Sequence, residues 1–125
     1  MRCPCRKKSE RQAYAECCEP YHSGAQIAPT AEALMRSRYA AFALRLPNYL
    51  RATWHASTRP ETLNLSPDEE WLLLRVLETT VDGNRATVEF IARSRMDSRQ
   101  QMLHEVSRFL REGGQWYYLD GAIQP

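Results

Sequence analysis

Long hydrophobic stretches are missing from these 125 residues. No apolar run approaches the ~18 residues that a membrane-spanning helix needs, so we expect no membrane association. Neither sign of charge is in large excess, and a net charge of +2 gives no strong case for a nucleic-acid-binding protein. The first residues, Met1 to Cys5, lack the apolar core of a secretory signal, so we expect a cytoplasmic protein.

Cysteine is absent from residues 19–125, whereas four cysteines fall within the first 18 residues. Cysteines buried for packing would be spread along the chain, so this cluster indicates a local role. In a reducing compartment, cysteines more often bind metals or react than form cross-links. Cys3 and Cys5, separated by one proline, can point two thiolates at one centre. Cys17 and Cys18 would complete a tetrahedral shell suited to Zn²⁺, and these four are the predicted ligands.

Three alternatives stay open for the cysteine cluster. The four thiols could form two disulfides, or a redox-active dithiol, although the usual C-x-x-C spacing is missing. His22 follows closely and could replace Cys18 as the fourth ligand. A closed shell of four thiolates leaves no position for water, so the predicted zinc site is structural rather than catalytic.

The cysteine pattern also resembles a known motif. Cys-Pro-Cys, followed after eleven residues by Cys-Cys, is similar to the SEC-C motif, a zinc-binding element at the C-terminus of the SecA translocation motor and on many other proteins. The resemblance implies the same four zinc ligands and a SEC-C-like motif over residues 1–22. Because the motif mediates protein contacts in SecA, the resemblance also implies a protein partner for this chain.

Positive charge surrounds the cysteines, and the candidate partner-binding residues are Arg6, Lys7, Lys8 and Arg11. They could contact an acidic protein surface, the ribosome or RNA. Alternatively, they only offset the charge of −2 that four thiolates leave on Zn²⁺. No aromatic residue interrupts the basic run before Tyr14, which weakens the interpretation as an RNA-binding segment.

The hydrophobic period changes once along the rest of the chain. Met35, Tyr39, Phe42 and Leu46 are spaced by four, three and four residues, which predicts an amphipathic helix that Pro47 ends. Alternation with a period of two then predicts strands between turn signals such as Gly113-Gly114. The predicted elements are a connector at 19–30, helices at 31–46 and 48–55, a polar loop at 56–70, and strands at 71–81, 86–93, 101–111 and 116–123.

Helices that precede about four antiparallel strands define an α+β fold. The segment 101–111 could be a helix or a strand by composition, and its place between two turns favours a strand. A curved, mainly antiparallel sheet wrapped on a helix pair resembles the cone-shaped nuclear-transport-factor-2-like (NTF2-like) fold. The expected architecture is therefore an N-terminal zinc knuckle followed by this cone-shaped domain.

Four local strings make the resemblance more specific. LMRSRYAAF, TWH, HEVSRF and WYYLDG, in that order, resemble the YchJ family of small bacterial proteins, which couples an N-terminal SEC-C motif to the cone fold. The resemblance implies an NTF2-like α+β domain over residues 23–125. The biochemical role of that family is uncharacterised, so the resemblance implies a fold more than a function.

The interior of such a cone would form a pocket with polar and aromatic walls. An acid–base pair could combine His104 or His55 with Asp120 or Glu105. His104 and Glu105 are neighbours on a predicted strand, however, and would face opposite sides. The candidate pocket residues are Arg38, Tyr39, Trp54, His55, His104, Arg108, Tyr118 and Asp120.

The sequence favours one function over two others. A non-enzymatic zinc-binding adaptor would contact a macromolecular partner through its zinc motif. The first alternative is an enzyme or small-molecule carrier that uses the polar pocket, and the second is a homodimer formed by the cone face. The sequence contains a complete metal shell but no complete set of nucleophile, base and orienting group, which favours the adaptor.

Overall fold

The computed structural model describes residues 1–6 and 10–125. The predicted partner-binding residues Lys7 and Lys8 therefore lie outside the described residues. The elements are a 3-10 helix at Tyr14–Glu16, the helices α1 (Glu19–His22), α2 (Ala31–Leu44) and α3 (Pro47–Ala52), and the strands β1 (Glu70–Asp82), β2 (Arg85–Met96), β3 (Arg99–Glu112) and β4 (Gln115–Ile123).

Helix α2 begins where the sequence predicts and ends earlier. The Thr30 side chain accepts a hydrogen bond of 3.0 Å from the backbone N–H of Ala33, which caps the first turn. The helix ends at Leu44 because Arg45 takes a left-handed conformation (φ 58°). The Arg45 guanidinium then bonds the carbonyls of residues that lead into β1, which stabilises this reversal.

Two predictions about helices near prolines are wrong in detail. Pro47 does not end α2 but begins α3, which runs to Ala52 rather than to residue 55. The predicted connector at 19–30 contains the short helix α1, with Pro20 in its first turn. Both predictions treat proline as a residue that ends or excludes a helix. Proline is in fact favoured in the first helical turn, because the N–H that it lacks would be unpaired there and its fixed φ suits a helix.

The four strands form one antiparallel sheet in the order β1-β2-β3-β4, joined by tight hairpins. The last hairpin turns at Gly113 and Gly114, which both have positive φ angles. Residues 101–111 are strand, and the predicted α+β layout is confirmed. Two register shifts in β1 and one between Arg108 and Phe109 in β3 interrupt the pairing, and irregularities of this kind bend a sheet.

The core lies between α2 and one face of the sheet. Alternate residues of β2 are buried on this face, including Val88 and Phe90. A further contact closes the layer at one end: the N–H of Tyr118 donates to the carbonyl of Thr53, and its carbonyl accepts from His55. The segment after α3 is thereby fixed to β4, at the edge of the sheet.

None of the helices in residues 1–6 and 10–125 has the length and apolar character needed to cross a bilayer. The division into a zinc-binding motif at 1–22 and a domain at 23–125 stays a prediction. Cys3, Cys5 and Cys18 belong to the same buried cluster as Leu34 and Tyr39 of α2, so the cysteine segment packs directly on the core.

Candidate metal centre and cone cavity

The first residues of the chain fold back on residues 12–14. Arg2 and Ala13 form an isolated antiparallel bridge. The N–H of Cys3 donates to the carbonyl of Gln12 at 2.9 Å, and the N–H of Tyr14 donates to the carbonyl of Met1 at 2.8 Å. This pairing brings the two halves of the cysteine pattern together, although they are far apart in the sequence.

Two tight turns then orient the cysteine sulfur atoms toward one another. The N–H of Arg6 donates to the carbonyl of Cys3, which closes a turn with Pro4 at its second position, where proline is favoured. On the other side, the 3-10 helix delivers Cys17, whose N–H bonds Tyr14. Cys18 follows directly as the N-cap of α1.

The four Sγ atoms converge on one point. The separations are 3.6 Å for Cys3 to Cys5, Cys5 to Cys17 and Cys5 to Cys18, and 4.0 Å for Cys17 to Cys18. All four sulfurs lie within 4.8 Å of one another. Sulfur ligands at ~2.3 Å from one ion, arranged tetrahedrally, would be ~3.8 Å apart. The donor set and its spacing therefore fit a tetrahedral metal ion.

All four cysteines are free thiols. Cys3, Cys5 and Cys18 are buried, and Cys17 is partly exposed. A disulfide would require sulfur atoms ~2.05 Å apart, much closer than any of these contacts. The arrangement thus favours coordination over the disulfides that the sequence left open.

Crowded thiols without a cation compete for negative charge. Hydrogen bonding with Cys18, and then with Cys5, holds the pKa of Cys3 far below its usual value of 9.0. The pKa of Cys18 is raised strongly because its own thiol proton is held in the bonds to Cys3 and Cys5, and because burial disfavours a second thiolate. A divalent cation would remove this competition, because it stabilises every thiolate at once.

Arginines contact the cysteine cluster from two sides. The pKa of Arg6 is raised, first by its side-chain hydrogen bond with Cys17 and then by the charges of Cys5 and Glu10. Arg36 of α2 donates to the carbonyl of Cys5 at 2.9 Å. Arg6 is therefore partly occupied by the cysteines themselves, as the charge-compensation alternative expects.

His22 does not join the sulfur cluster, so its proposed replacement of Cys18 as a ligand is corrected. Its Nε2 lies 2.8 Å from the carbonyl of Ser37, and its Nδ1 lies 2.6 Å from the hydroxyl of Tyr14. Because a carbonyl only accepts, Nε2 donates the hydrogen bond to Ser37. Both nitrogens are engaged, and His22 joins the cysteine segment to α2.

A cavity of about 260 Å³ lies between the helices and the concave face of the sheet. Four of the predicted pocket residues line it: Arg38, Tyr39, Trp54 and Tyr118. The sequence analysis missed most of the remaining wall, although the inward alternation of β2 and β3 was the signal for it. These missed residues are Met35, Phe42, Trp71, Phe90, Ala92, Leu103, Ser107 and Phe109. Glu105, which the sequence suggested as the carboxylate of an acid–base pair, also lines the cavity.

Arg38 is the buried cation of the cavity wall, with 5% of its surface exposed. Its Nη1 donates at 2.7 Å both to the carbonyl of Leu50 and to the hydroxyl of Thr53. The guanidinium carbon lies 5.0 Å from the ring centre of Trp54 and 4.5 Å from that of Tyr118. Burial lowers the pKa of Arg38 to about 10, so it stays charged at neutral pH.

The two histidines predicted for the pocket lie elsewhere, which corrects their assignment. His104 points to the convex face of the sheet, where its Nε2 bonds Glu89 at 2.7 Å. Period-two alternation requires this, because Glu105 faces the cavity. His55 follows α3 and contacts Glu112 and Ser57, outside the cavity wall.

Arg108 and Asp120 also lie outside the cavity. They form a bidentate ion pair between β3 and β4, in which Nε and Nη2 of Arg108 donate to Oδ1 and Oδ2 of Asp120 at 2.6 and 2.5 Å. The hydrogen bond from Arg108 lowers the pKa of Asp120. Arg108 lies on the outer face of the sheet because its neighbours in β3, Ser107 and Phe109, point inward.

Comparison with known proteins identifies related sequences and folds. Residues 30–121 match the family model described as the YchJ, middle NTF2-like domain. A UPF0225 protein of Polaromonas naphthalenivorans is 47% identical, with 95% of each chain covered. A UPF0225 protein of Methylibium petroleiphilum is 49% identical, with 98% of this chain and 89% of the relative covered.

Two solved structures share the whole fold. A SEC-C motif containing protein from Rhodopseudomonas palustris superposes with a TM-score of 0.86 and 36% identity over both complete chains. A SEC-C motif containing protein from Psychrobacter arcticus gives a TM-score of 0.82 and 30% identity, over 100% of this chain and 84% of that one. The expected fold, an NTF2-like domain behind an N-terminal cysteine cluster, is confirmed.

Proposed function

The chain belongs to the YchJ family, and from this premise we propose that it is a non-enzymatic zinc-binding adaptor. In this proposal, one structural Zn²⁺ holds residues 1–22 against α2, and the surface around the ion contacts a protein partner. The NTF2-like domain serves as the rigid body that carries this surface. Thiolate ligands require reducing conditions, so the proposed location is the cytoplasm.

The convergence of four sulfur atoms carries the zinc part of the proposal. Soft thiolate ligands in a tetrahedral set select zinc over hard cations such as Mg²⁺ and Ca²⁺. Four protein ligands complete the coordination shell and leave no position for a substrate or an activated water. A structural role follows, because a closed shell has no site for catalysis.

The exposed charge around the cysteines supports the partner part of the proposal. Arg2 and Arg11 are exposed in the N-terminal segment that contains the four cysteines, and Lys7 and Lys8 belong to the same basic run of the sequence. A protein surface rich in aspartate and glutamate is the complementary partner. The SEC-C motif in the names of both structural relatives is consistent with such a module.

Zinc content is expected to follow the four cysteines and not His22. The purified protein should contain about one zinc ion per chain, by the four-ligand requirement of a structural site. Cys18→Ser should lose this zinc, whereas His22→Ala should retain it, because His22 contacts Ser37 and Tyr14 rather than the sulfurs. Plasma mass spectrometry after purification without chelators measures the content. A protein free of zinc would contradict the proposal.

Reversing the basic charges is expected to weaken the capture of protein partners. The variant Lys7→Glu/Lys8→Glu/Arg11→Glu should recover at least about tenfold less of its partners from a cell extract, because the reversed charges would repel an acidic partner surface. A loss of about 1.4 kcal/mol of binding free energy is enough for a tenfold decrease. The matched control is Arg85→Glu/Arg93→Glu/Arg99→Glu, which changes three exposed arginines of the sheet by the same total charge. Quantitative mass spectrometry compares the two. If both variants recovered equal amounts of partner protein, the basic residues would only compensate the charge of the zinc site and would not bind a partner.

A further inference from the structure

We propose that the cone cavity is a binding site for a small monocarboxylate with a flat apolar body. The site is separate from the cysteine cluster and goes beyond the adaptor function. Three properties of the cavity lead to this ligand class: its size, its aromatic wall and its buried cation.

The size and the wall define the body of the ligand. The cavity volume of about 260 Å³ is close to the ~300 Å³ of the smallest usual small-molecule pockets. A molecule with one or two rings therefore fits, whereas a larger one does not. The wall is mostly aromatic, and Phe42, Trp71 and Phe109 offer ring faces and edges. Such surfaces pack best against flat apolar groups.

The cation defines the charged end of the ligand. A guanidinium has five N–H donors, and the hydrogen bonds of Arg38 to Leu50 and Thr53 in the described part of the chain both come from Nη1. Both of these partners are neutral. Among residues 1–6 and 10–125, no carboxylate forms an ion pair with Arg38. The nearest counter-charge is Glu105 of the same wall, which acts on Arg38 through space without a hydrogen bond to it. A ligand carboxylate would add the paired hydrogen bonds that Arg38 does not make with Glu105.

Two other wall residues narrow the ligand further. The Glu105 carboxylate lines the same cavity and accepts from Ser107 at 2.5 Å. Its negative charge opposes further anionic charge in the cavity, so a ligand with one negative charge is favoured over a dianion such as a phosphate ester. Trp54 also belongs to the wall, and its Nε1 is buried without a hydrogen-bond partner among the described residues. A small movement of this ring would give the ligand a second donor.

Three probes with one ring and different charge test the proposal on the full-length protein. Phenylacetate, phenylacetamide and phenethylamine present a carboxylate, a neutral amide and an ammonium group on the same body. Phenylacetate should bind at least about tenfold more tightly than the other two, because a hydrogen bond between two oppositely charged groups is stronger than one between Arg38 and a neutral amide, and the ammonium group repels the guanidinium. Calorimetry measures the affinities, and the indole N–H signal of Trp54 in NMR spectra reports the location.

Three variants test whether phenylacetate binds in the cavity or on another surface of the protein. Arg38→Met should remove the preference for the acid over the amide. Because Arg38 also supports α3, a second variant, Leu103→Trp, fills the cavity from the half-buried edge of the wall and should weaken phenylacetate at least tenfold. His104→Gln is the matched control, since this neighbour faces the convex side and should leave binding unchanged.

Several results would overturn the proposal. The amide or the amine could bind as tightly as the acid, or phenylacetate could fail to bind at millimolar concentration. Equal affinity of a folded Leu103→Trp variant and the wild type would place the binding outside the cavity. Folding of every variant is checked by its thermal midpoint and its amide spectrum.

Discussion

Removal of zinc is expected to lower the thermal midpoint of the protein by at least about 10 °C and to unfold residues 1–22. Cys3→Ser/Cys5→Ser should have the same effect as a strong chelator. Structural zinc sites contribute an apparent ~10–16 kcal/mol to folding. In a domain of this size each kcal/mol corresponds to roughly 3–4 °C, so even a loss of ~3 kcal/mol gives the expected shift.

The expected loss extends beyond the cysteine segment because this segment covers the core. Cys3, Cys5 and Cys18 are almost fully buried against Leu34 and Tyr39 of α2. Unfolding of residues 1–22 would therefore expose apolar surface of the helix to water. The regular structure in its described residues is short, consisting of one isolated bridge, a 3-10 helix and the four-residue helix α1.

The control for this experiment is the chelator itself. If the chelator acts only through the proposed site, it should not lower the midpoint of Cys3→Ser/Cys5→Ser any further. Differential scanning calorimetry gives the midpoints, and amide hydrogen exchange locates the unfolded residues. An unchanged midpoint in the chelator, with residues 1–22 still protected from exchange, would contradict a stabilising metal.

The sequence was sufficient to predict the cysteine set because the chemistry is local. Four cysteines confined to one end of the chain have few alternatives to a common centre, and the structure brings all four together. The sequence could not place His22 in the same way. Its partners, Tyr14 and the carbonyl of Ser37, are side-chain and backbone groups that only the folded chain brings together.

The sheet was predictable and the cavity only partly so, for related reasons. Alternation along β2 reports directly which residues face the core, so strands and faces follow from the pattern. The residue type of a polar side chain does not by itself indicate whether it faces the cavity. Arg38 and Arg108 look equivalent in the sequence, yet one is buried in the wall and the other pairs with Asp120 on the surface. The pleat of β3 decides this difference for Arg108, and the face of α2 decides it for Arg38.

Three consecutive residues of α2 connect the two sites. Arg36 donates to the carbonyl of Cys5, the carbonyl of Ser37 contacts His22, and Arg38 enters the cavity wall. The cysteine segment and the cavity are therefore held by one turn of one helix. The position of this turn depends on the sheet beneath it, where Phe109 is a large side chain that is almost completely buried.

Phe109→Ala is expected to reduce the free energy of unfolding by about 3–5 kcal/mol, the usual cost of truncating a fully buried phenylalanine. Phe109 is 1% exposed and packs edge-on against Tyr118, with ring centres 5.9 Å apart. Leu110→Ala is the matched control on the adjacent residue, which is only half-buried and should lose less than half as much. Urea titration at constant zinc concentration measures both. Equal losses would mean that the face with Phe109 is not the main apolar core of the sheet.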